Sequence, residues 1–227
     1  MIAYIDFLGM KKRLSENNGF EDMILLKNLF ERTISNADKI KTINPIGDFE
    51  FKMFSDNIII AQKIDKDKVD AQFFSMVNLV ALMQYEALFQ HYITLRGGIT
   101  IGELYIDDSI VWGKGLVRAY HIENNLAIYP RVVIDSLIID SFKRFQQNRF
   151  LKLDNDGLWF VNYFIAEPFL YTIPNLSASL QQYIAFTRYI DDDRIKQKMN
   201  WIINNFNAYC HEFDDADYGK YAIPLLS

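Results

Sequence analysis

Two kinds of apolar pattern alternate along this chain. Short apolar runs predict buried strands, whereas stretches with an apolar residue at every third or fourth position predict amphipathic helices. Over residues 1–135 the order is strand, helix, two strands, helix, strand, hairpin, helix and strand. We predict strands at 2–7, 49–54, 58–62, 92–101 and 131–134, a hairpin at 103–112, and helices at 19–40, 69–88 and 113–125. This order is typical of an α+β fold with a ferredoxin-like, or split βαβ, core.

Helical patterns dominate the rest of the chain. They predict a helix over 135–147, a strand over 158–164, and a helical region over 177–211 with a break near 191–193. No linker or repeat interrupts the sequence, so we expect one domain over residues 1–227. Its core would cover about 1–164, and about 165–227 would form a C-terminal helical extension.

Composition narrows the class of protein. Half of the 227 residues are hydrophobic and 15% are aromatic, which is enough for a substantial core. A net charge of −5 argues against a nucleic-acid-binding surface, which normally carries a basic stripe. The single cysteine, Cys210, excludes an internal disulfide and agrees with a reducing compartment. With no signal peptide or membrane span recognised, a cytoplasmic protein without nucleic-acid or membrane partners is expected.

The first strand contains one carboxylate in an otherwise apolar run. Burying Asp6 there would cost several kcal/mol unless it is paired, hydrogen-bonded or bound to a metal ion. Asp56, in the connection between the second and third strands, is the obvious partner. Two carboxylates at neighbouring strand ends are suited to a divalent cation. For either acid alone, the simpler interpretation is a strand end that runs into solvent.

Four blocks of sequence occur together in a known order. They are AYIDFLG (3–9), KMFSD (52–56), RGGITIG (96–102) and WGKGLVRAYHIE (112–123). With them the chain resembles a class III nucleotidyl cyclase, and most closely the Pycsar pyrimidine cyclases of bacterial anti-phage defence. Tyr129-Pro130-Arg131 and the segment 156–160 are similar to the narrower group. The resemblance covers residues 2–164 and implies a class III cyclase core.

The resemblance implies a metal site and a phosphate site. Asp6, Asp56 and the backbone carbonyl of Phe7 would hold two divalent cations, Mn²⁺ or Mg²⁺. Backbone amides of the turn Leu8, Gly9 and Met10 would bind the β- and γ-phosphates of a nucleoside triphosphate. Lys11-Lys12 would add positive charge beside that turn.

The base-recognition positions differ from those of purine cyclases. Lys52 lies where adenylyl cyclases have a base-recognising lysine, but Ile110, two residues before Trp112, replaces its acidic partner. A purine edge would leave polar atoms unpaired, at about 1–3 kcal/mol each. A pyrimidine therefore fits better, and we expect UTP to be preferred over CTP.

The helix after Trp112 differs too. The family places an asparagine and a transition-state arginine where this chain has Val117 and His121. Arg118, one position after Val117, is a candidate for the missing cation, and His121 is a second candidate catalytic residue. A surface arginine or an ordinary core histidine would look the same in sequence.

The resemblance also implies partners. Class III cyclases share each active site between two chains, so a homodimer is expected, with UTP or CTP as substrate and a separate cyclic-nucleotide effector for the product. Three alternatives remain open. They are an adenylate or guanylate cyclase, a diguanylate cyclase or palm-type polymerase, and a catalytically degenerate dimer that only binds a nucleotide.

Overall fold

The computed structural model describes residues 1–10, 19–43, 46–166, 173–187, 192–212 and 218–226. The strands are β1 (Ile2–Phe7), β2 (Phe49–Phe54), β3 (Asn57–Gln62), β4 (Leu95–Thr100), β5 (Tyr105–Ile106), β6 (Val111–Trp112), β7 (Val132–Ile134), β8 (Leu151–Leu153) and β9 (Trp159–Val161). The α-helices are α1 (Gly19–Ile43), α2 (Val69–His91), α3 (Lys114–Asn125), α4 (Ser136–Ser141), α5 (Ile173–Thr187) and α6 (Asp193–Glu212). Short 3₁₀ helices cover Lys143–Gln147, Tyr163–Ile165 and Tyr218–Tyr221.

Seven strands form one sheet in the order β2-β3-β1-β4-β7-β9-β8, and β5 and β6 form a separate ribbon. Within the sheet, β2, β3, β1 and β4 are neighbours, and each adjacent pair is antiparallel. Their order along the chain is β1-α1-β2-β3-α2-β4, which is the ferredoxin-like arrangement. The predicted α+β fold with a split βαβ core is therefore confirmed. β7 extends the sheet parallel to β4, and β9 and β8 continue it antiparallel.

The two faces of β1 pack against different helices, because side chains alternate along a strand. Ile5 and Phe7 join the main hydrophobic core together with residues of α1 and α2. Tyr4 points to the other face and packs with residues of α3. α3 lies directly on the sheet at Gly98 of β4, where a Cβ would be only 2.6 Å from the Ala119 carbonyl oxygen.

A buried arginine connects the C-terminal extension to the sheet. Arg131, immediately before β7, has a fully buried side chain and pairs with both Asp154 and Asp156. Its guanidinium lies 5.4 Å from the ring centre of Tyr129 and 6.0 Å from that of Trp201. The indole nitrogen of Trp201 donates to Asp154 at 2.7 Å. Because Trp201 belongs to α6, this cluster holds α6 against the end of the sheet formed by β7, β9 and β8.

Several predicted boundaries are wrong for local reasons. α2 continues to His91, and Tyr92 ends it in a left-handed conformation with φ of 55°, so β4 begins at Leu95 and not at residue 92. The predicted helix over 135–147 divides at Phe142, whose ψ of 63° is not helical. The strand predicted over 158–164 is shorter in the structure, where β9 covers only Trp159–Val161, and β8 was not predicted.

The C-terminal helical region is two helices, as the predicted break near 191–193 implied. The first begins at Ile173, earlier than predicted, with Pro174 in its first turn. Proline is tolerated there because an N–H at that position has no partner within the helix. Among the residues that the structure describes, none of the helices has both the length and the apolar character that a membrane crossing requires. The single-domain organisation and the cytoplasmic location stay predictions.

Candidate active site

Asp6 and Asp56 lie next to each other at one end of the sheet. Asp6 is paired in register with Asn57 of β3, and Asp56 precedes Asn57 in the β2–β3 turn. The Phe7 amide donates to the backbone carbonyl of Asp56 at 3.0 Å, which joins the two segments. Ser55 makes the tight turn possible with a left-handed φ of 52°. The backbones of the two acids are therefore adjacent, and their shared role in binding a cation stays a prediction.

Arg96 and Glu123 complete this cluster, and the sequence interpretation gave neither a role. Arg96 is the register partner of Asp6 on β4, and its Nε donates to the Asp6 carboxylate at 3.0 Å. A second guanidinium nitrogen of Arg96, NH2, lies 2.7 Å from a carboxylate oxygen of Glu123, whose side chain is only 3% exposed. A usable signal was present: Glu123 follows Ala119 by four residues and so falls on the buried face of α3.

The charges of Asp6 and Asp56 act on two neighbouring groups, Tyr4 and Glu123. Burial, followed by the charges of Glu123 and Asp6 and a smaller contribution from Asp56, raises the pKa of Tyr4 to about 12. Burial also raises the pKa of Glu123, and Asp6 and Asp56 add to this effect while Arg96 opposes it. The cluster therefore has more negative charge than Arg96 balances, which favours a bound cation.

The residues present fit a divalent cation held by few protein ligands. No group of three or more His, Cys, Asp or Glu placed to hold a metal ion occurs in the described ranges. The Asp56 carboxylate accepts hydrogen bonds from the Ser55 hydroxyl at 2.9 Å and the Asn57 amide at 3.4 Å. Two carboxylates and nearby carbonyls are the hard oxygen ligands that Mg²⁺ and Mn²⁺ prefer, and Mg²⁺ usually completes its shell with water and substrate phosphates.

The predicted phosphate-binding turn is only partly available. Gly9 has a left-handed φ of 85°, as a sharp turn after β1 requires. The Leu8 amide donates to the Thr94 carbonyl at 2.9 Å, so a phosphate would have to replace that hydrogen bond, and the contribution of this amide stays a prediction. Gly9 and Met10 remain candidates, and Met10 is buried. Lys11 and Lys12 lie outside the described residues.

The other predicted residues form a second group along the ribbon and α3. A cleft of about 850 Å³ is lined by Trp112, Arg118 and His121, among others. α3 begins beside Ile2, at the end of β1 opposite to Asp6. Ile2 and Asp6 are four residues apart, or about 13 Å along an extended strand. One chain therefore does not bring Trp112 to the acid pair.

Arg118 is already bound within its own chain. Its guanidinium makes a two-pronged contact with Asp135, with NH2 donating to Oδ1 at 2.6 Å. Asp135 also accepts from the Thr100 hydroxyl at 2.5 Å and from the Leu137 amide at 3.0 Å, capping α4. The other candidate on this helix, His121, is exposed and lies 3.1 Å from the Asn125 amide nitrogen. Their catalytic roles stay predictions.

Lys52 lies on the same sheet face as Asp6. Phe51 and Met53, its neighbours in β2, pack against the main core, so Lys52 points to the other face. Its ammonium is 3.5 Å from the carboxylate of Asp108, in the turn of the β5–β6 ribbon. An exposed pair of this kind contributes little stability, which leaves Lys52 able to change partners. Ile110 is exposed on the same ribbon.

No protein-family model and no curated protein matches this sequence. Among solved structures, the chain is similar to the crystal structure of the adenylyl cyclase CyaB from P. aeruginosa, with 12% identity and a TM-score of 0.41. That match covers 70% of this chain and 91% of the other. A bacterial light-regulated adenylyl cyclase is 15% identical with a TM-score of 0.39, covering 80% and 96% of the two chains. At such identities and TM-scores, neither likeness assigns an activity.

Proposed function

We propose that this chain is a class III nucleotidyl cyclase that converts UTP to 3′,5′-cyclic UMP and pyrophosphate. The observation that carries the proposal is the adjacent placement of Asp6 and Asp56 at strand ends of a ferredoxin-like core, amid surplus negative charge. The resemblance of four sequence blocks to the Pycsar cyclases supports the same class of reaction.

In this reaction the ribose 3′-oxygen attacks the α-phosphorus, and the 3′-hydroxyl proton passes to solvent. The bond between that phosphorus and the oxygen leading to the β-phosphate breaks, and pyrophosphate leaves with the electron pair. Two divalent cations, when bound, would lower the pKa of the 3′-hydroxyl and neutralise the phosphates.

The chain's own residues would hold the cations and orient the carboxylates that bind them. Asp6, Asp56 and the Phe7 carbonyl would hold the cations, and Arg96 fixes the Asp6 carboxylate by its 3.0 Å hydrogen bond. Glu123 holds the other side of Arg96, so the guanidinium cannot swing away without leaving a buried acid unpaired.

The proposed base site favours a pyrimidine. Lys52 shares the sheet face of Asp6, while Ile110 offers no hydrogen-bond partner for a purine edge. UTP is the proposed substrate, and CTP is the second candidate.

A homodimer would bring the two groups of residues together. Trp112 is 76% exposed and Val117 is 66% exposed, on the ribbon and on α3 respectively. Exposed apolar surface of this kind suits a protein interface. In the proposed dimer, α3 of each chain supplies Arg118 or His121 to the acid pair of its partner. The cyclic nucleotide would serve anti-phage defence through a separate effector, a proposal that rests on the resemblance alone.

Incubation of purified full-length protein with each of the four nucleoside triphosphates and Mn²⁺, with products resolved by mass, tests this function. We expect cyclic UMP from the wild type, and a loss of about 100- to 1,000-fold or more in Asp6→Asn and Asp56→Asn. Asp140→Asn, an exposed acid on α4, is the matched control and should leave turnover unchanged.

Linear products, or no product from any triphosphate, would contradict the proposal. Formation of cyclic CMP or of a cyclic purine nucleotide would change the proposed substrate but would still identify a nucleotidyl cyclase. The contact between Arg118 and Asp135 favours one alternative function, a degenerate dimer. That alternative predicts nucleotide binding in the wild type without turnover.

A further inference from the structure

Asp135, the residue after β7, has a buried carboxylate that β4 and α4 hold in place. Its amide donates to the Ile99 carbonyl at 2.9 Å, which joins its backbone to β4. The Thr100 hydroxyl donates to its carboxylate at 2.5 Å, and the Leu137 amide does so at 3.0 Å. Burial raises the pKa of Asp135, but hydrogen bonds from Arg118 and these two donors outweigh it, and the net shift is downward. The carboxylate is therefore both charged and fixed in position.

This carboxylate holds Arg118 of α3 along one edge of its guanidinium. Nε and NH2 of Arg118 donate to the two oxygens of Asp135, with 2.6 Å between NH2 and Oδ1. The pair uses two of the five N–H groups of an arginine, so NH1 stays outside it. Among the described residues, no second acceptor contacts this guanidinium. The Arg118 side chain is 44% exposed and lines the cleft of about 850 Å³, as Trp112 does.

The open edge of Arg118 suits an anion that enters this cleft. A guanidinium binds phosphate through parallel N–H donors, and it does so best when its direction is fixed beforehand. His121, the other candidate on α3, lines the same cleft, but no carboxylate of the described residues contacts it. Its ring nitrogen lies 3.1 Å from the amide nitrogen of Asn125, an exposed residue of the same helix. Arg118 is therefore the better oriented of the two side chains.

We propose that Asp135 is a positioning residue, which with Thr100 orients Arg118 to contact the phosphates of a nucleoside triphosphate bound at the acid pair of the partner chain. The inference rests on the proposed function and its dimer, and it deepens both by choosing Arg118 over His121. Asp135 itself touches no ligand. It removes the entropic cost of ordering a long side chain when the phosphate binds.

Titration of inorganic tripolyphosphate, with Mg²⁺, into the full-length protein measures this role without requiring turnover. Arg118→Ala should weaken binding about tenfold or more, because a charge-assisted hydrogen bond is lost. Asp135→Asn should weaken it about three- to tenfold, because asparagine can still cap α4 but cannot hold the guanidinium by two charged contacts. In the Arg118→Ala background, Asp135→Asn should cause no further loss, because Asp135 acts only through Arg118. A residue needed only for folding would not show this dependence.

Two further variants separate positioning from a general effect on the fold. Asp70→Asn breaks a similar two-pronged contact, that with Arg144, outside the cleft, and it should bind tripolyphosphate as the wild type does. Thr100→Val keeps the charge of Asp135 and removes only the hydroxyl that fixes it, so a smaller loss of about threefold is expected. Circular dichroism would establish that each variant is folded.

Equal affinity of the wild type and the folded Arg118→Ala or Asp135→Asn would overturn the inference, as would a loss in Asp70→Asn or absence of tripolyphosphate binding by the wild type. A further loss from Asp135→Asn in the Arg118→Ala background would also overturn it. Tighter binding by Asp135→Asn would do the same, because Asp135 would then withhold Arg118 from the anion. Failure of the proposed function looks different: tripolyphosphate binding would still depend on Arg118 and Asp135, while no triphosphate would yield a cyclic product.

Discussion

Two arginines on adjoining segments of the sheet each lie between two carboxylates, and their surroundings differ. Arg131 is completely buried, pairs with Asp154 and Asp156, and lies against two aromatic rings. Arg96 pairs with Asp6 and Glu123, but its side chain is 24% exposed.

The pKa values of the carboxylates shift in opposite directions in the two clusters. Burial raises the pKa of Asp156, but hydrogen bonds from Arg131 and the Leu158 amide outweigh it, and the net shift is downward. For Glu123, burial and two neighbouring acids outweigh the attraction of Arg96, and the net shift is upward. The Arg131 cluster favours the charged form of Asp156 and holds α6 to the sheet, whereas the Arg96 cluster disfavours the charged form of Glu123 and is suited to binding a cation. A buried ion pair alone does not distinguish these roles, whereas the balance of charge around it does.

The largest effect is expected from breaking the Arg131 cluster. Arg131→Met should lower the free energy of unfolding by about 3–5 kcal/mol, because Asp154 and Asp156 lose the buried cation that compensates them. Urea unfolding followed by tryptophan fluorescence measures this. Arg144→Met is the matched control, since Arg144 makes a similar contact with Asp70 on the exposed surface and should barely move the midpoint. A stability of Arg131→Met equal to that of the control would contradict the structural role.

A smaller effect concerns the pH dependence of stability. Because the folded-state pKa of Asp156 lies below its ordinary value of 3.8, its contribution to stability is present above the unfolded pKa. That contribution disappears as the pH falls through the folded-state pKa. Urea unfolding between about pH 6 and about pH 2, roughly two units on each side of the ordinary pKa of 3.8, should therefore show a smaller loss of stability on acidification in Asp156→Asn than in the wild type. Parallel curves would show that Arg131 does not hold Asp156 in its charged form.

Elements with a local signature were predictable from sequence. The apolar run at Ile2–Phe7 was confirmed as β1. Leu151–Leu153 was missed because three residues are too few to show a strand period, and β8 exists only through its pairing with β9. The end of α2 was misplaced because Tyr92 adopts a left-handed conformation that the sequence does not favour.

Site residues with a local signature were likewise predictable from sequence, whereas those that depend on contacts between distant segments were not. Asp6 and Asp56 stood out because each interrupts or ends an apolar run, and their backbones are adjacent in the structure. Arg96 lies within one of the four sequence blocks, but the sequence does not indicate its partner, because its contact with Asp6 depends on the pairing of β1 and β4 across 90 residues.

The central claim is that the Arg96 cluster, with Asp6 and Asp56, binds divalent cations and that the Arg131 cluster does not. Calorimetric titration of Mn²⁺ into the full-length wild type, Asp6→Asn and Asp156→Asn tests it most directly. We predict saturable binding by the wild type, binding weakened about tenfold or more in Asp6→Asn, and wild-type affinity in folded Asp156→Asn. Equal affinity of Asp6→Asn and the wild type, or a loss confined to Asp156→Asn, would contradict the account.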